Sequence, residues 1–442
     1  MTKLEELIKE FCPNGVDYKK INEIAVQLNG MSGVSGKWAD EGNCEFIDYM
    51  NVYKNIKIDT ELIKKATVKS QKQTTLEQGD ILFTSASEVP NECAISSVIE
   101  KPIKRGVFLD DHLFGIRIKS DFKSEIDSVF LNYYFRSDSF RCEINKVVRG
   151  VTRFYISKTD FMSLQIPLPA LPVQREIVRI LDSFTLYSAE LTAELTARRK
   201  QYKFYRDKLL NFANQQMKVR MCSMGDLGKF YGGISGKTKD DFKDGNAKFI
   251  SYKNVYFNPA LNTNIDEKVK IGINEHQRTL EYGDIIFTGS SETPDECGLS
   301  SVVTETVNEK LYLNSFCFFF RFDNKKMILP GFAKYLFRST EIRRQIVKTA
   351  SGVTRYNVSK EKMAKVQIPI PPIEVQERIV KVLDNFDAIC SDLGIGLPAE
   401  IEKRQKQYEY YREKLLTFDN KFATILDRQT DRQTDRQTDR AD

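Results

Sequence analysis

The 442-residue sequence predicts an α+β protein with two pseudo-symmetric mixed α/β domains that are separated by two long antiparallel coiled-coil helices. Three observations predict this class: an internal repeat, short apolar runs between glycine-containing turns, and heptads of apolar residues after proline-rich joints. With 41% hydrophobic and 29% charged residues, the chain has enough apolar material for folded cores. This composition excludes a wholly disordered chain.

The internal repeat has an offset of 202 residues in its clearest part. Residues 149–184 align without a gap on residues 351–386, and 17 of the 36 positions are identical. Upstream, Leu76–Thr84 returns as Leu280–Thr288. The chain is therefore a tandem duplication of a unit of roughly two hundred residues, which is too long for a solenoid repeat.

Each repeat begins with a mixed region and ends with a helix. Asp80–Thr84 and Cys317–Arg321 are apolar runs that are typical of short buried strands. Proline-rich joints follow at Ile166–Pro172 and Ile368–Pro372. Because proline keeps the preceding residue extended, these joints are expected to end the mixed regions.

The residues after each joint follow a heptad pattern, which predicts a long helix that pairs with its copy. The seam positions are Ile177, Leu181, Phe184, Ser188, Leu191, Leu195, Arg198, Tyr202, Tyr205, Leu209 and Phe212 in the first helix. In the second helix they are Ile379, Leu383, Phe386, Cys390, Leu393, Tyr408, Tyr411, Leu415 and Phe418. Packing of each helix on its own domain is the alternative.

These signals divide the chain into five segments. We expect a mixed domain at residues 1–172, a helix at 173–212, a second mixed domain at 213–374, a helix at 375–418 that is interrupted near 394–398, and a disordered tail at 419–442. The glycines and the proline of the interruption are poor residues for a helix interior.

The tail repeats the tetrapeptide Asp-Arg-Gln-Thr and has no apolar residue between Asp427 and Arg440. Such a segment cannot bury a core. A tandem GACA tetranucleotide cycles through the reading frames and encodes this period. Gain or loss of one DNA unit would shift the frame, which predicts phase variation of the C-terminus. A solvated tail with unrelated codons is the alternative.

The sequence lacks the residues that most catalytic and metal sites need. It has two histidines, and none of its eight cysteines forms a CxxC pair. We therefore expect no catalytic residue, no metal site and no cofactor in this chain. Glu88 with Glu92, repeated as Glu292 with Glu296, leaves open a stand-alone metal-dependent enzyme that processes nucleic acid.

The N-terminus has no apolar signal core, and no run of eighteen apolar residues occurs. We therefore expect a cytoplasmic protein with no membrane partner. The net charge of +6 is compatible with a nucleic-acid partner but is too small to identify one.

Four duplicated segments together resemble the DNA-specificity (S) subunit of type I restriction–modification systems, and the resemblance covers nearly the whole chain. They are Gly79–Ser85 with Gly283–Gly289, the Gly-Val-Thr-Arg segments at 150–153 and 352–355, the proline-rich joints, and the helix openings Val173–Val178 and Val375–Val380. The resemblance implies two target-recognition domains, each of which reads one half of a split double-stranded DNA site. It further implies that the helices dock two methyltransferase (M) subunits and that restriction (R) subunits can join. S-adenosylmethionine, ATP and magnesium would then belong to the partner subunits only.

Reading DNA requires polar side chains that reach base edges and cations that contact phosphates. The candidates in the first repeat are Ser35, Lys37, Tyr49, Asn51, Ser85, Ser87, Glu88, Arg153 and Tyr155. Those in the second repeat are Ser235, Lys237, Tyr252, Asn254, Ser290, Ser291, Glu292, Arg355 and Tyr356. Local turn hydrogen bonds are the alternative for Ser85–Glu88, and structural salt bridges are the alternative for the two arginines.

The helix ends Gln201–Leu210 and Gln407–Leu416 are near copies and are rich in aromatic residues. Aromatic side chains are enriched at protein interfaces. Phe204, Tyr205, Tyr410 and Tyr411 are therefore the candidates for partner binding.

Overall fold

The computed structural model describes residues 2–37, 42–69, 73–212, 219–391 and 396–418, without the side chains of residues 35–37. Contacts divide the chain into two compact units. Unit 1 combines Met1–Glu190 with Ile401–Asp442, and unit 2 is Leu191–Glu400. The predicted tail at 419–442 lies outside the described residues, as do residues 394–395 of the predicted interruption.

Unit 1 contains short helices and strands, followed by the first part of a long helix. The helices are α1 (Lys3–Phe11), α2 (Ile21–Ile24), α3 (Tyr49–Lys54), α4 (Ser128–Phe135), α5 (Asp138–Val147), α6 (Lys158–Ser163) and the long α7 (Leu171–Leu209), which continues into unit 2. The strands are β1 (Asp17–Lys20), β2 (Ala25–Asn29), β3 (Val34–Lys37), β4 (Cys44–Ile47), β5 (Lys64–Val68), β6 (Ile81–Thr84), β7 (Ala86–Ser87), β8 (Ser96–Val98), β9 (Val107–Leu109), β10 (Leu113–Ile118), β11 (Val148–Arg149), β12 (Phe154–Ile156) and β13 (Gln165–Leu168).

Four small sheets organise the strands of unit 1. The first has the antiparallel order β2-β10-β6-β8, and the second has the order β3-β5-β4-β9, in which β4 and β9 run parallel. A three-stranded sheet, β11-β12-β7, and the pair β1-β13 complete the set. Every residue of β6 is buried, in agreement with the strand that its apolar sequence predicts.

Unit 2 repeats this topology. Its helices are α8 (Met224–Leu227), α9 (Tyr252–Phe257), α10 (Pro330–Leu336), α11 (Thr340–Val347), α12 (Lys360–Met363) and α13 (Ile373–Ser391). Its strands are β14 (Arg220–Ser223), β15 (Gly228–Gly232), β16 (Ala247–Ile250), β17 (Lys268–Val269), β18 (Ile285–Thr288), β19 (Ser290–Ser291), β20 (Ser300–Val302), β21 (Leu311–Leu313), β22 (Cys317–Phe322), β23 (Ala350–Ser351), β24 (Tyr356–Val358) and β25 (Gln367–Ile370). The sheets are β15-β22-β18-β20, β17-β16-β21, β19-β24-β23 and β14-β25, and among the described residues only β3 lacks a counterpart.

A cluster of phenylalanine rings fills the centre of unit 1. Phe83 of β6 lies 5.1 Å from Phe114 of β10, 5.2 Å from Phe135 of α4 and 4.8 Å from Phe161 of α6, measured between ring centroids. These separations are typical of stacked and edge-to-face aromatic pairs. The cluster ties the main sheet to two of the helices that cover it, α4 and α6.

The long helix α7 begins within the first proline-rich joint, α13 begins directly after the second joint, and the last helix begins at the predicted interruption. Pro172 is the second residue of α7, and Pro398 is the second residue of α14 (Leu397–Leu416), positions at which a missing N–H leaves no helical hydrogen bond unmade. Within unit 1, Phe184 of α7 stacks on Tyr411 at 5.4 Å, and the Arg404 guanidinium lies over the Tyr187 ring at 5.1 Å. Positions rise along α7 as they fall along α14, so the pair is antiparallel, as predicted.

The far end of each long helix completes the core of a unit. Tyr408, Leu415, Leu416 and Phe418 are buried in the largest apolar cluster of unit 1. Leu210 and Phe212, which lie at and beyond the end of α7, are buried in the corresponding cluster of unit 2. The first domain is therefore built from both ends of the sequence, which the repeat pattern alone did not indicate.

Carboxylates on these helix ends also bind the start of a short helix in each unit. The Glu413 carboxylate accepts the backbone N–H of Asp138 at 2.8 Å, at the start of α5. In unit 2, the Asp207 carboxylate accepts the backbone N–H of Thr340 at 3.1 Å and its hydroxyl at 2.6 Å. Both contacts satisfy N–H groups that a helix leaves without an internal partner.

Candidate nucleic-acid interface

Two of the predicted DNA-binding segments of unit 1 are neighbouring strands in the structure. β7 pairs with β12, so that Ser87 lies opposite Phe154 and Ala86 lies opposite Tyr155. In unit 2, β19 pairs with β24 in the same way, with Ser291 opposite Tyr356. The fold therefore brings the Ser85–Glu88 segment and the Arg153–Tyr155 segment, which are far apart in the chain, to one surface.

A glycine turn presents the arginine of each hairpin. Gly150 has a φ of +127°, and a Cβ atom there would lie 2.1 Å from the Arg153 carbonyl oxygen. Gly352 repeats the geometry with a φ of +152° and a distance of 2.0 Å to the Arg355 carbonyl oxygen. Only glycine fits both requirements. The turn therefore needs its glycine, while the arginine side chains are exposed.

The Tyr49 and Tyr252 hydroxyls hold the polar turn in place. The Tyr49 hydroxyl donates to the Ala86 carbonyl at 3.1 Å, and the Tyr252 hydroxyl donates to the Ser290 carbonyl at 2.8 Å. Burial raises the pKa of both phenols, so they remain protonated donors. In unit 2 the Arg355 guanidinium also donates to the Ser290 hydroxyl at 3.1 Å.

The polar turn of unit 1, Tyr49 and the glycine turn with Arg153 line one surface cleft. Its lining is Tyr49, Tyr53, Ser85, Ala86, Ser87, Glu88, Val89, Glu92, Asp111, His112, Thr152 and Arg153. Glu88, Thr152 and Arg153 are exposed, and Tyr155 on the adjacent strand has 54% of its surface exposed. The cleft thus offers hydroxyl, carboxylate and guanidinium groups together.

Asn51 and Asn254 have a different environment from the other candidates. Both are buried, and their side-chain amides donate to backbone carbonyls, at Asp59 (2.9 Å) and Asn262 (2.8 Å) respectively. Since these amides are bonded inside the domain, this conformation does not offer them to a base edge.

The remaining candidates lie apart from the β7–β12 and β19–β24 surfaces. Ser35 and Lys37 belong to β3 in the second sheet of unit 1, and their side chains lie outside the described part of the chain. Ser235 is exposed, whereas the Lys237 side chain is 10% exposed and pairs with Glu275. A backbone hydrogen bond from Gly272, together with Lys237 and a glutamine amide, lowers the pKa of Glu275 to about 2. Lys237 is thus part of an internal ion pair.

The aromatic residues at the helix ends divide into two groups. Tyr205 stacks on Phe386 with centroids 5.7 Å apart, and Tyr411 makes the equivalent contact with Phe184. Phe204 and Tyr410 instead have 62% and 54% of their surfaces exposed. Only the second group presents an aromatic side chain largely to solvent.

Comparison with known proteins identifies the family. Residues 13–198 and 217–403 match the type I restriction modification DNA specificity domain. The chain belongs to this family. The two matches correspond to the two repeats, and the predicted α+β class with two domains and a long helix between them is confirmed. The resemblance to the specificity subunit is confirmed as well.

Relatives of this DNA-specificity family are similar along much of the chain. The EcoR124I/EcoR124II specificity subunit of Escherichia coli is 34% identical over 60% of this chain and 66% of its own length, just under two thirds. A putative type I specificity subunit of Haemophilus influenzae is 33% identical over 67% of this chain and 74% of its own length. The specificity subunits of such systems are non-catalytic.

Solved structures share the fold at low sequence identity. The HsdS subunit from Thermoanaerobacter tengcongensis covers 91% of this chain and 96% of its own length, with a TM-score of 0.52 and 15% identity. A chain from a study of complex assembly and conformational transition of the type I R-M system covers 91% and 98%, with a TM-score of 0.63 and 15% identity. At this identity the likeness concerns the fold alone.

The stand-alone metal enzyme has no support. Glu296 accepts hydrogen bonds from the Tyr256 hydroxyl at 2.7 Å and the Thr293 hydroxyl at 2.8 Å, and these bonds lower its pKa. Glu92 accepts the Ser87 hydroxyl at 3.2 Å in the same turn of unit 1. These carboxylates hold the turn.

Within the described ranges, no helix combines the length and the apolarity that crossing a membrane requires.

Sequence reasoning missed Asp111 and His112, which line the unit 1 cleft. They lie between β9 and β10, outside every motif that the repeats share. A signal was present: aligning the repeats places Ser315 and Phe316 at these positions, so the loop differs between two otherwise similar segments. This sequence difference indicates a functional position only when the structure shows that the loop lies beside the shared residues.

Proposed function

We propose that this chain is a sequence-specific double-stranded DNA-binding subunit in which unit 1 reads one half of a split site and unit 2 reads the other. The observation that carries the proposal is the duplicated strand pair, β7–β12 and β19–β24, with an exposed arginine at each glycine turn. Guanidinium groups contact phosphates or guanine edges, and hydroxyl and carboxylate groups contact other bases.

We also propose that two methyltransferase subunits dock on the helices and that restriction subunits can join the complex. Exposed Phe204 and Tyr410, at equivalent helix positions, support two equal docking sites. In this assignment the catalytic partners are a DNA adenine methyltransferase and an endonuclease, and they hold S-adenosylmethionine, ATP and magnesium. The complex acts in the cytoplasm, where these cofactors and its DNA are found.

Arginine substitutions in the complex with the methyltransferase subunit test DNA reading. Arg153→Ala should weaken binding to the first half-site, and Arg355→Ala should weaken binding to the second, each by about 1–3 kcal/mol. Each variant is the control for the other, because the two turns share their geometry. Binding without sequence preference in the wild-type complex, or methylation by the purified chain alone, would contradict the proposal.

Substitution of the exposed aromatics tests docking. Phe204→Ala and Tyr410→Ala should each weaken binding of a methyltransferase subunit by about 2 kcal/mol, as expected for an aromatic hot spot. Phe257→Ala is the matched control, because Phe257 is 68% exposed and lies outside the long helices. Unchanged assembly of both helix variants, measured by analytical ultracentrifugation, would refute these docking sites.

A further inference from the structure

The loop between β9 and β10 in unit 1 and the loop between β21 and β22 in unit 2 have the same backbone arrangement. The Asp110 carboxylate accepts the His112 N–H at 2.9 Å, and the Asn314 amide oxygen accepts the Phe316 N–H at 2.9 Å. The His112 carbonyl accepts the Ser85 N–H at 3.0 Å. The Phe316 carbonyl accepts the N–H of the equivalent glycine, at 2.8 Å. Both units therefore hold this loop against the polar turn in the same way.

The chemical difference between the unit 1 cleft and the aligned residues of unit 2 is concentrated in this loop. Of the twelve residues that line the unit 1 cleft, seven are identical at the aligned positions of unit 2, namely Tyr49, Tyr53, Ser87, Glu88, Glu92, Thr152 and Arg153. Three pairs differ by a few atoms: Ser85 and Gly289, Ala86 and Ser290, and Val89 and Thr293. In the last two pairs, Asp111 corresponds to Ser315, which removes a charge, and His112 corresponds to Phe316, which replaces a polar ring by an apolar one.

The two loops present side chains that suit different base edges. The Asp111 and His112 side chains are 36% and 60% exposed, and the His112 Nε2 lies 3.8 Å from an Asp111 carboxylate oxygen. Phe316 has 61% of its surface exposed. A carboxylate accepts the exocyclic amine of a base such as cytosine, whereas a phenylalanine ring contacts the thymine methyl group.

We propose that this loop makes the two half-sites differ: residues 111–112 select a base with an exocyclic amine in one half, and Phe316 selects thymine in the other. The proposal rests on the proposed function, because it requires each unit to read DNA through this surface. The seven identical residues then account for what the half-sites share. The loop accounts for what distinguishes them.

Exchange of the loop residues between the units tests the proposal. The variants are Asp111→Ser with His112→Phe, and Ser315→Asp with Phe316→His, each in the full complex with methyltransferase subunits. Bound DNA is selected from a random library and sequenced. The Ser315→Asp, Phe316→His variant should lose its preference for one thymine in the unit 2 half-site, with the other half-site and the spacer unchanged. In the wild-type complex, replacing that thymine by uracil removes one methyl group and should weaken binding about four-fold.

Phe257→His is the matched control, because it makes the same exchange at an exposed phenylalanine of unit 2 whose aligned residue, Lys54, does not line the cleft, and it should leave the selected sequences unchanged. Circular dichroism of each variant verifies folding. Folded exchange variants that select the wild-type half-sites would overturn the proposal. Equally weakened binding to every DNA sequence would also overturn it, because the loop would then contribute to affinity and not to specificity. A wild-type complex without any sequence preference would instead defeat the proposed function itself.

Discussion

Leu416 offers a direct test of the finding that both ends of the sequence build unit 1. Its side chain is 1% exposed and belongs to the same apolar cluster as Phe83 and Phe130. Truncation of a buried leucine to alanine costs about 2–5 kcal/mol. Since 1.4 kcal/mol is a factor of ten, Leu416→Ala should raise the opening equilibrium of unit 1 by roughly 30- to 4,000-fold.

Hydrogen exchange resolved by peptide measures this effect. Leu416→Ala should accelerate exchange in β6 and leave β18 unchanged, and Leu210→Ala, whose side chain is 5% exposed in the unit 2 cluster, should do the reverse. Lys403→Ala, at an exposed position of α14, is the control and should change neither strand. Faster exchange in β18 but not in β6 after Leu416→Ala would refute the assignment of α14 to unit 1.

Three further predictions concern the helices and the tail. Asp207→Ala should cost unit 2 about 1 kcal/mol, because α11 loses the acceptor at its start. Partial burial raises the pKa of Asp207, but hydrogen bonds from the start of α11 outweigh this and lower it. This contribution should therefore be complete above the unfolded pKa of about 3.9 and be lost as the pH falls through the lower folded pKa, which urea titrations at several pH values measure. Inserting Thr-Ala-Glu-Leu after Leu195, where this tetrapeptide follows the similar Ser188–Leu191, lengthens α7 by about 6 Å, or one to two base pairs. Methylome sequencing should show a longer spacer with both half-sites unchanged, and an altered half-site would contradict the ruler. Sequencing of the gene should show an unbroken GACA tract behind residues 427–440, whereas codons that vary between the repeats would end the phase-variation hypothesis.

The sequence predicted the parts of the fold that depend on local pattern. The apolar run at β6 and the proline-rich joints mark elements whose signals lie within a few residues, and the glycine turns recur in both repeats. The heptads also predicted pairing of the helices correctly, because a repeated stripe needs a partner for its apolar face, and the pseudo-symmetry of the two repeats predicted the antiparallel direction. Duplication strengthened each of these signals by showing it twice.

Long-range packing could not be predicted in the same way. Nothing near Phe418 in the sequence indicates that its ring lies 6.1 Å from Phe130, because that contact depends on the path of the whole chain. For the same reason the sequence suggested Asn51 as a base reader, whereas its amide is bonded inside the domain. The identity of a polar residue in a repeated motif does not tell whether its side chain is exposed to solvent or hydrogen-bonded within the domain.

The two units also contain a difference between repeats that leaves the type of contact unchanged. The Asp182 carboxylate accepts the Tyr133 hydroxyl and pairs with Lys57, and the equivalent Asp384 accepts the Tyr335 hydroxyl. Its lysine partner comes from a different element, α10, whose Lys334 lies 3.0 Å from the carboxylate. The sequences differ at both lysine positions, yet each aspartate keeps a tyrosine and an ammonium partner. A residue that differs between the repeats is therefore a candidate for specificity only where no residue of another element supplies the same contact. Phe316 meets that requirement, because its backbone contacts match those of His112 while its exposed ring replaces a polar group.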